Sequence, residues 1–139
     1  WLPPPLFTEG RKVQTKALHD FLLDPKPIRP AAVLRMPKFN MSSAEAQAFA
    51  EYFAAMDNAA YPYEVNPQQS DSYLTEASKE YPERMDVAMK IITSAGGCVK
   101  CHIIGDYSPG GDPKALGPQL AEVHHRLRPD YTKSWIANP

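Results

Sequence analysis

Residues 96–105, with the sequence Gly96-Gly97-Cys98-Val99-Lys100-Cys101-His102-Ile103-Ile104-Gly105, contain both cysteines of the chain. Two cysteines separated by two residues and followed directly by histidine are typical of the attachment of a c-type haem. This spacing lets both thiols reach vinyl groups on one edge of the macrocycle while the imidazole reaches the iron. Cys98 and Cys101 are therefore predicted to anchor one covalent haem c, and His102 is predicted to be an axial iron ligand.

Three other uses of these cysteines have less support from the sequence. A structural zinc site needs four ligands, and the further candidates are the remaining histidines His19, His124 and His125. A thioredoxin-like dithiol opens a helix that follows a strand, whereas here a predicted helix leads into the cysteines. A disulfide across two residues would be strained and would leave His102 without a role.

Length, composition and charge limit the class of protein. The chain has 139 residues, 43% of them hydrophobic, which is enough for one or at most two small domains. A formal net charge of −1 argues against nucleic acid as a partner, because phosphate binding needs a basic excess. No stretch approaches the ~20 apolar residues of a membrane span, so none is expected. Trp1 at the first position indicates a chain processed or excised from something longer.

Charge is unevenly distributed along the sequence. Residues 1–40 hold seven Lys and Arg against three Asp and Glu, residues 41–90 three against nine, and residues 91–139 five against four, giving +4, −6 and +1. Two explanations fit this pattern. The charged residues are ordinary solvated surface, or those of residues 1–40 form a basic docking face that steers an acidic redox partner. Such a face would contain Arg11, Lys12, Lys16, Arg29, Arg35 and Lys38.

Capping signals and apolar spacing predict short helices. The clearest runs from Ser42 to about Asp57, where Ser42 and Glu45 have capping-box spacing. Its apolar stripe is predicted to be a core face, formed by Phe49, Tyr52, Phe53 and Met56. Other helices are expected at about residues 15–23, from near Pro82 toward Gly96, and at 129–137. Residues 58–72 have no apolar period and are interpreted as a linker.

An internal repeat is detected at an offset of 114 residues. It aligns Leu2–Pro25 with Leu116–Pro139 without a gap. The alternative is chance similarity between proline-rich loops, because a single short window is weak support for a repeat. The pairs that agree in kind are Leu2 with Leu116, Pro4 with Pro118, Leu6 with Leu120, Lys12 with Arg126, Phe21 with Trp135, Leu22 with Ile136, Asp24 with Asn138, and Pro25 with Pro139.

Taken together, these motifs resemble the bacterial class I cytochromes c, especially domains that occur in tandem. The matching features are Cys98–His102, the loop Gly117-Pro118-Gln119-Leu120, the helix ending near Trp135, the loop containing Met36, and the helix with Tyr52 and Phe53. The resemblance covers most of the chain, but the order differs. The methionine loop and the aromatic helix, which end the family pattern, precede the cysteine motif in this chain. The resemblance implies an all-α, cytochrome c-like fold of short helices packed around a covalently bound haem.

The resemblance also implies roles for two further residues. The carbonyl of Pro118 is expected to accept a hydrogen bond from His102, and Met36 is expected to be the second axial ligand. Three arrangements remain open for Met36. It serves a different haem in a di-haem protein whose other motif lies before Trp1, or it folds over the iron held by His102 in a permuted unit, or it is only a core residue.

The sequence thus predicts three segments and an electron carrier. Residues 1–57 form a C-terminal-type portion of a cytochrome unit, 58–72 a linker, and 73–139 an N-terminal-type portion with the haem motif. The expected function is electron transfer with redox partner proteins, in the periplasm or another extracytoplasmic compartment. The alternatives are small-ligand binding or peroxide reduction at an open haem site, which would make it an enzyme, and a structural wiring module of a larger redox assembly.

Overall fold

The chain folds into short helices joined by proline-rich loops. The computed structural model describes residues 5–33, 35–94, 96–109, 112 and 116–139. Within these ranges there is no β-strand, only isolated bridges, so the all-α class is confirmed. Two 3-10 turns lie at Pro67–Gln69 and Cys98–Lys100. The helices are α1 (Glu9–Lys12), α2 (Thr15–Leu23), α3 (Ser43–Met56), α4 (Asp71–Glu80), α5 (Arg84–Thr93), α6 (Val123–Arg126) and α7 (Pro129–Ala137).

The helices belong to two compact units. Unit 1 comprises Trp1–Pro27, Leu34–Val65 and Glu122–Pro139, and unit 2 comprises Ile28–Val33 and Asn66–Ala121. The change of unit after Val65 falls inside the expected linker, 58–72. The expected division into 1–57 and 73–139 differs from the structure in two respects. Residues 28–33 belong to unit 2, and residues 122–139 fold with the start of the chain. Pairing between the two copies of the repeat is the physical reason for the second difference.

The repeat is present in the structure as well as in the sequence. Shifting α1 by 114 residues gives α6, and shifting α2 gives α7, with the same start and end positions. The capping residues after α2 and α7, Asp24 and Asn138, have backbone angles within about ten degrees of each other. Leu2–Pro4 lie outside the described residues, so the agreement covers the later part of each copy.

The two copies pair with each other about a local pseudo-dyad. Val13 and Leu127, which are equivalent positions, form an antiparallel bridge. The N–H of Gln14 donates to the Arg126 carbonyl at 2.9 Å, and the equivalent N–H of Arg128 donates to the Lys12 carbonyl at 2.9 Å. Because both bonds obey the same 114-residue relation, the pairing is a property of the repeat.

Side chains at the equivalent positions 14 and 128 reinforce this pairing. Gln14 Nε2 donates to the Leu127 carbonyl at 2.8 Å, and Arg128 Nε donates to the Val13 carbonyl at 3.0 Å. Arg128 Nη2 also donates to the Ala60 carbonyl at 2.9 Å, and its guanidinium lies 4.5 Å from the centre of the Tyr63 ring. Only 8% of Arg128 is exposed, and this burial lowers the pKa of its guanidinium.

We expect Arg128→Ala to lower the free energy of unfolding of unit 1 by about 3 kcal/mol, because it removes a buried guanidinium that donates to the carbonyls of Val13 and Ala60. Urea unfolding followed by circular dichroism measures the loss. Lys133→Ala is the matched control, since the Lys133 pair with Asp130 is exposed at 3.8 Å and contributes about 0.5 kcal/mol or less. Equal losses in the two variants would contradict the structural role of Arg128.

Helix α3 begins where the sequence predicts. Ser42 caps it, with Ser42 Oγ accepting from the Glu45 N–H at 3.3 Å and Glu45 Oε2 accepting from the Ser42 N–H at 2.8 Å. Hydrogen bonds from the Ser42 backbone and hydroxyl lower the pKa of the Glu45 carboxyl. The predicted capping box is therefore confirmed.

The predicted core face of α3 is wrong. The buried positions are Ala46, Ala50 and Ala54, whereas the apolar stripe is half-buried at Phe53 and exposed at its other members, Phe49, Tyr52 and Met56. Alanine spacing of four residues also follows the helix period, and small side chains let α1 and α2 approach the α3 backbone closely. The larger residues consequently lie on a free face of the helix.

Gly10 is the point of closest approach between α1 and α3. A Cβ atom at Gly10 would lie 2.2 Å from the Phe53 carbonyl oxygen and 2.7 Å from the Ala54 Cα. The Asp57 carboxylate accepts hydrogen bonds from the Gly10 N–H at 2.8 Å and from the Arg11 N–H at 3.3 Å. Asp57 thus satisfies two backbone N–H groups in the first turn of α1 and holds this short helix against the end of α3.

We expect Gly10→Ala to destabilise unit 1 by roughly 1–3 kcal/mol, because the backbone of α3 must move away to accept the methyl group. Gly96→Ala is the control, since nothing lies within 4 Å of the added Cβ there. Thermal unfolding of the two variants tests this expectation. A neutral Gly10→Ala would show that α1 and α3 do not pack as described.

Unit 2 contains a helix that the sequence analysis missed. Asp71–Glu80 form α4, capped by Ser70, whose hydroxyl accepts from the Tyr73 N–H at 3.3 Å. The pattern Ser70-Asp71, a capping residue before an acidic first turn, was the signal for this helix. Helix α5 is the one expected after Pro82, and it ends at Thr93, five residues before Cys98.

Candidate functional site

The two cysteines lie at the ends of one helical turn in unit 2. After α5, the Gly97 N–H donates to the Ser94 carbonyl at 2.8 Å, and Cys98–Lys100 form a 3-10 turn. The N–H groups of Cys101 and His102 both donate to the Cys98 carbonyl, at 3.2 and 2.9 Å. Both thiols are free and exposed, so they are not joined in a disulfide.

His102 is oriented by the loop that contains Pro118. Its Nδ1 atom lies 2.7 Å from the Pro118 carbonyl oxygen. A carbonyl can only accept, so the proton of a neutral His102 ring is on Nδ1 and the lone pair is on Nε2. This is the hydrogen bond that the family resemblance implies, and it leaves Nε2 as the atom available to a metal.

Two backbone hydrogen bonds fasten the same loop to the cysteine turn. The Gly117 N–H donates to the Cys101 carbonyl at 2.8 Å, and the Leu120 N–H donates to the Ile103 carbonyl at 2.9 Å. A Cβ at Gly117 would lie 2.5 Å from His102 Cε1 and 2.7 Å from Nδ1. Glycine at this position therefore allows the imidazole to lie flat against the loop backbone.

We expect Gly117→Ala to displace the His102 ring and break its hydrogen bond to Pro118. Nitrogen-15 NMR of the imidazole measures the change directly, because the protected Nδ1–H signal of the wild type should exchange with water in the variant. Gly96→Ala adds a methyl group to the same unit without a nearby atom and should leave the signal unchanged. An unchanged His102 signal in Gly117→Ala would overturn the described geometry.

Unit 2 buries little of its apolar surface. None of its described residues is buried, and several large apolar side chains are exposed. A unit of this size ordinarily needs a buried apolar core, a disulfide or a cofactor for stability. The exposed side chains are Val33, Tyr73, Leu74, Tyr81, Met85, Val87, Ile91 and Tyr107.

The other expected ligand is placed in unit 1. Met36 lies in an irregular segment between α2 and α3, and it is half-buried. Cys98, Cys101, His102 and Pro118 lie together in unit 2. Four of the five predicted site residues are therefore assembled by one unit, and the fifth belongs to the other.

The remaining histidines lie in unit 1. His124 and His125 are neighbours in α6 with ring centres 3.6 Å apart. In the described ranges, no group of three or more His, Cys, Asp or Glu side chains could hold a metal ion. The four-ligand set of a structural zinc site is thus not assembled in that part of the chain.

Three residues of the proposed basic docking face form local ion pairs. Lys12 pairs with Glu9 at 2.7 Å, Lys16 pairs with Asp20, and Lys38 approaches Asp24 at 3.4 Å. Arg29 belongs to unit 2, whereas the other residues of this face belong to unit 1. These three acidic partners are already counted in the +4 of residues 1–40, so the pairs leave that excess unchanged and both explanations of the charge pattern stay predictions.

One hydrogen-bonded series in unit 1 has the order of a hydrolase triad. Asp20 Oδ1 lies 3.2 Å from His19 Nδ1, and His19 Nε2 lies 3.0 Å from Ser43 Oγ. Asp20 is about half exposed and also pairs with Lys16. The hydrogen bonds from Lys16 and His19 lower the pKa of the Asp20 carboxyl. Because the orienting carboxylate of a triad is buried, this series is better explained as a link between α2 and α3.

No protein-family model, curated protein or solved structure matches the chain. Within the described ranges, every helix is too short or too polar to cross a bilayer.

Proposed function

We propose that this protein carries one haem c, attached covalently in unit 2, and that it transfers single electrons. The observation that carries the proposal is the contact between His102 Nδ1 and the Pro118 carbonyl at 2.7 Å. It fixes the imidazole of the Cys98-Val99-Lys100-Cys101-His102 motif in the tautomer that a metal-ligating histidine needs.

Each residue of the site has a defined task in this proposal. Cys98 and Cys101 would hold the haem through thioether bonds to its two vinyl groups, each S–H bond and vinyl π bond being replaced by an S–C and a C–H bond. The Pro118 carbonyl holds the Nδ1 proton of His102 and thereby keeps Nε2 free to bind iron. The bound haem supplies the exchange between ferrous and ferric iron, while the protein sets the ligand and the burial.

The surface of unit 2 supports the same proposal. Cys98 and Cys101 are exposed, as attachment requires. A macrocycle bound at this turn would supply an apolar surface that covers exposed side chains of α5, the helix in contact with the turn. Each large apolar side chain that becomes covered contributes about 2 kcal/mol, which gives the unit a core that its described residues do not form.

The proposal includes a compartment and partners. Covalent haem is attached on the outer side of the cytoplasmic membrane, so we place the protein in the periplasm or an equivalent extracytoplasmic compartment. Its partners are redox proteins, and it acts alone or within a larger multi-haem or multi-subunit assembly. An electron carrier needs no catalytic residues of its own, which agrees with a structural role for the His19 series.

We expect the protein, expressed in a host that matures c-type cytochromes, to retain haem after acid–acetone extraction. The pyridine haemochrome spectrum should give one haem per chain, and tryptic mass spectrometry should locate it on the peptide with Cys98 and Cys101. Double replacement, Cys98→Ser with Cys101→Ser, should abolish the attachment. The control Met85→Leu, an exposed position of the same unit, should retain it. Extractable haem in the wild type would overturn the proposal.

Carbon monoxide distinguishes an electron carrier from a ligand-binding enzyme. The reduced protein is expected to bind carbon monoxide slowly or not at all, because an electron carrier keeps its sixth iron position occupied. Rapid binding would instead assign the protein to small-ligand binding or peroxide reduction.

A further inference from the structure

Unit 1 contains a cavity between α2, α3 and the loop of residues 61–64, which we call the α2–α3 cavity. Its volume is about 530 Å³, which falls within the roughly 300–1,000 Å³ that is typical of small-molecule sites. The α2 side is lined by Thr15, Lys16 and His19, and the α3 side by Gln47 and Ala50. None of these residues belongs to the proposed haem site, so the cavity is available for a separate function.

The third side of the cavity is the loop of residues 61–64, and this loop is held in place by two sets of contacts. Before the loop, Arg128 Nη2 donates to the Ala60 carbonyl at 2.9 Å. Within the loop, the Tyr63 ring lies 4.5 Å from the Arg128 guanidinium, and the Tyr63 N–H donates to Thr15 Oγ1 at 2.7 Å. The loop is thus fixed both to α2 and to a buried guanidinium, so the cavity is formed before any ligand binds.

The polar side chains on the α2 side are already bonded to other protein groups. Lys16 pairs with the Asp20 carboxylate. His19 Nδ1 lies 3.2 Å from Asp20 Oδ1, and His19 Nε2 lies 3.0 Å from Ser43 Oγ. These contacts orient the α2 side of the cavity and occupy both ring nitrogens of His19. A ligand must therefore be recognised by the other two sides.

The α3 and loop sides carry polar groups that are free to bind a ligand. Among the residues that the structure describes, Glu64 has no ion-pair partner, and the side chains of Gln47 and Tyr61 make no hydrogen bond. Ala50, which is 4% exposed, and Pro62 supply apolar surface in the same cavity. A free carboxylate, an amide oxygen and an aromatic ring all attract a cation, and the apolar surface favours a flat hydrophobic body attached to it.

We propose that the α2–α3 cavity binds a small organic cation of the aromatic primary amine class. The ammonium group donates hydrogen bonds to the Glu64 carboxylate and to the Gln47 amide oxygen, and the ring of the ligand packs on Ala50 and Pro62. The pairing of Lys16 with Asp20 reduces the repulsion between Lys16 and the bound cation. The site is independent of the proposed haem, because every residue that it uses belongs to unit 1.

The test is a titration of the full chain, labelled with nitrogen-15, with tryptamine. We expect saturable binding with a Kd of about 1 mM or lower, which is the affinity of a good ligand of this size. The chemical-shift changes should include the side-chain amide of Gln47 and the backbone amides of Tyr61, Tyr63 and Glu64. Indole-3-acetate has the same ring with a negative charge and should bind at least about tenfold more weakly. Absence of saturation with tryptamine, or equal binding of the two compounds, overturns the proposal.

A pair of variants tests the role of the carboxylate. Glu64→Gln keeps the size of the side chain and removes its charge, so it should weaken tryptamine binding about tenfold. Glu51→Gln removes an exposed carboxylate of α3 that does not line the cavity, and it should bind tryptamine as the wild type does. Both glutamates are exposed, so both variants are expected to fold. The proposal is wrong if Glu64→Gln keeps the wild-type affinity, or if the two variants lose affinity equally.

Discussion

The pairing of residues 12–14 with 126–128 is the contact on which the fold of unit 1 depends. Two backbone hydrogen bonds, related by the 114-residue repeat, join the start of the chain to its end. Arg128 lies beneath this pairing and also reaches the Ala60 carbonyl, so three separate segments meet at one guanidinium. Closing a loop of more than a hundred residues costs conformational entropy, and these bonds, with the packing of α1 and α2 on α3, offset it.

Small residues determine how the helices are arranged around that pairing. Ala46, Ala50 and Ala54 present a flat strip of α3, and Gly10 brings α1 into contact with its backbone. Close backbone contact leaves no room for larger side chains, so the aromatic residues of α3 lie on the other face. The geometry that stabilises unit 1 is therefore the same geometry that exposes Phe49 and Tyr52.

Unit 2 is organised differently. Its described residues form no buried core. A polar contact, the hydrogen bond between the His102 ring and the Pro118 carbonyl, orients the imidazole within this unit. Gly117 makes that contact possible by lacking a side chain. The hydrogen bond to Pro118 holds the imidazole in one orientation, which suits the proposed role of His102 as an iron ligand.

Local chemistry in the sequence determined much of this protein: the Ser42 capping box, the limits of α2 and α7, and the repeat, whereas the partner of His102 was implied by the family resemblance. These features depend on residues close in the chain or on a recognisable pattern. Tertiary structure alone decided which face of α3 is buried, because alanines and aromatics both follow the helical period and only the close approach of Gly10 chooses between them. It also decided that residues 122–139 fold with the start of the chain, because backbone hydrogen bonds between residues 112 and 116 positions apart leave no mark in composition or periodicity.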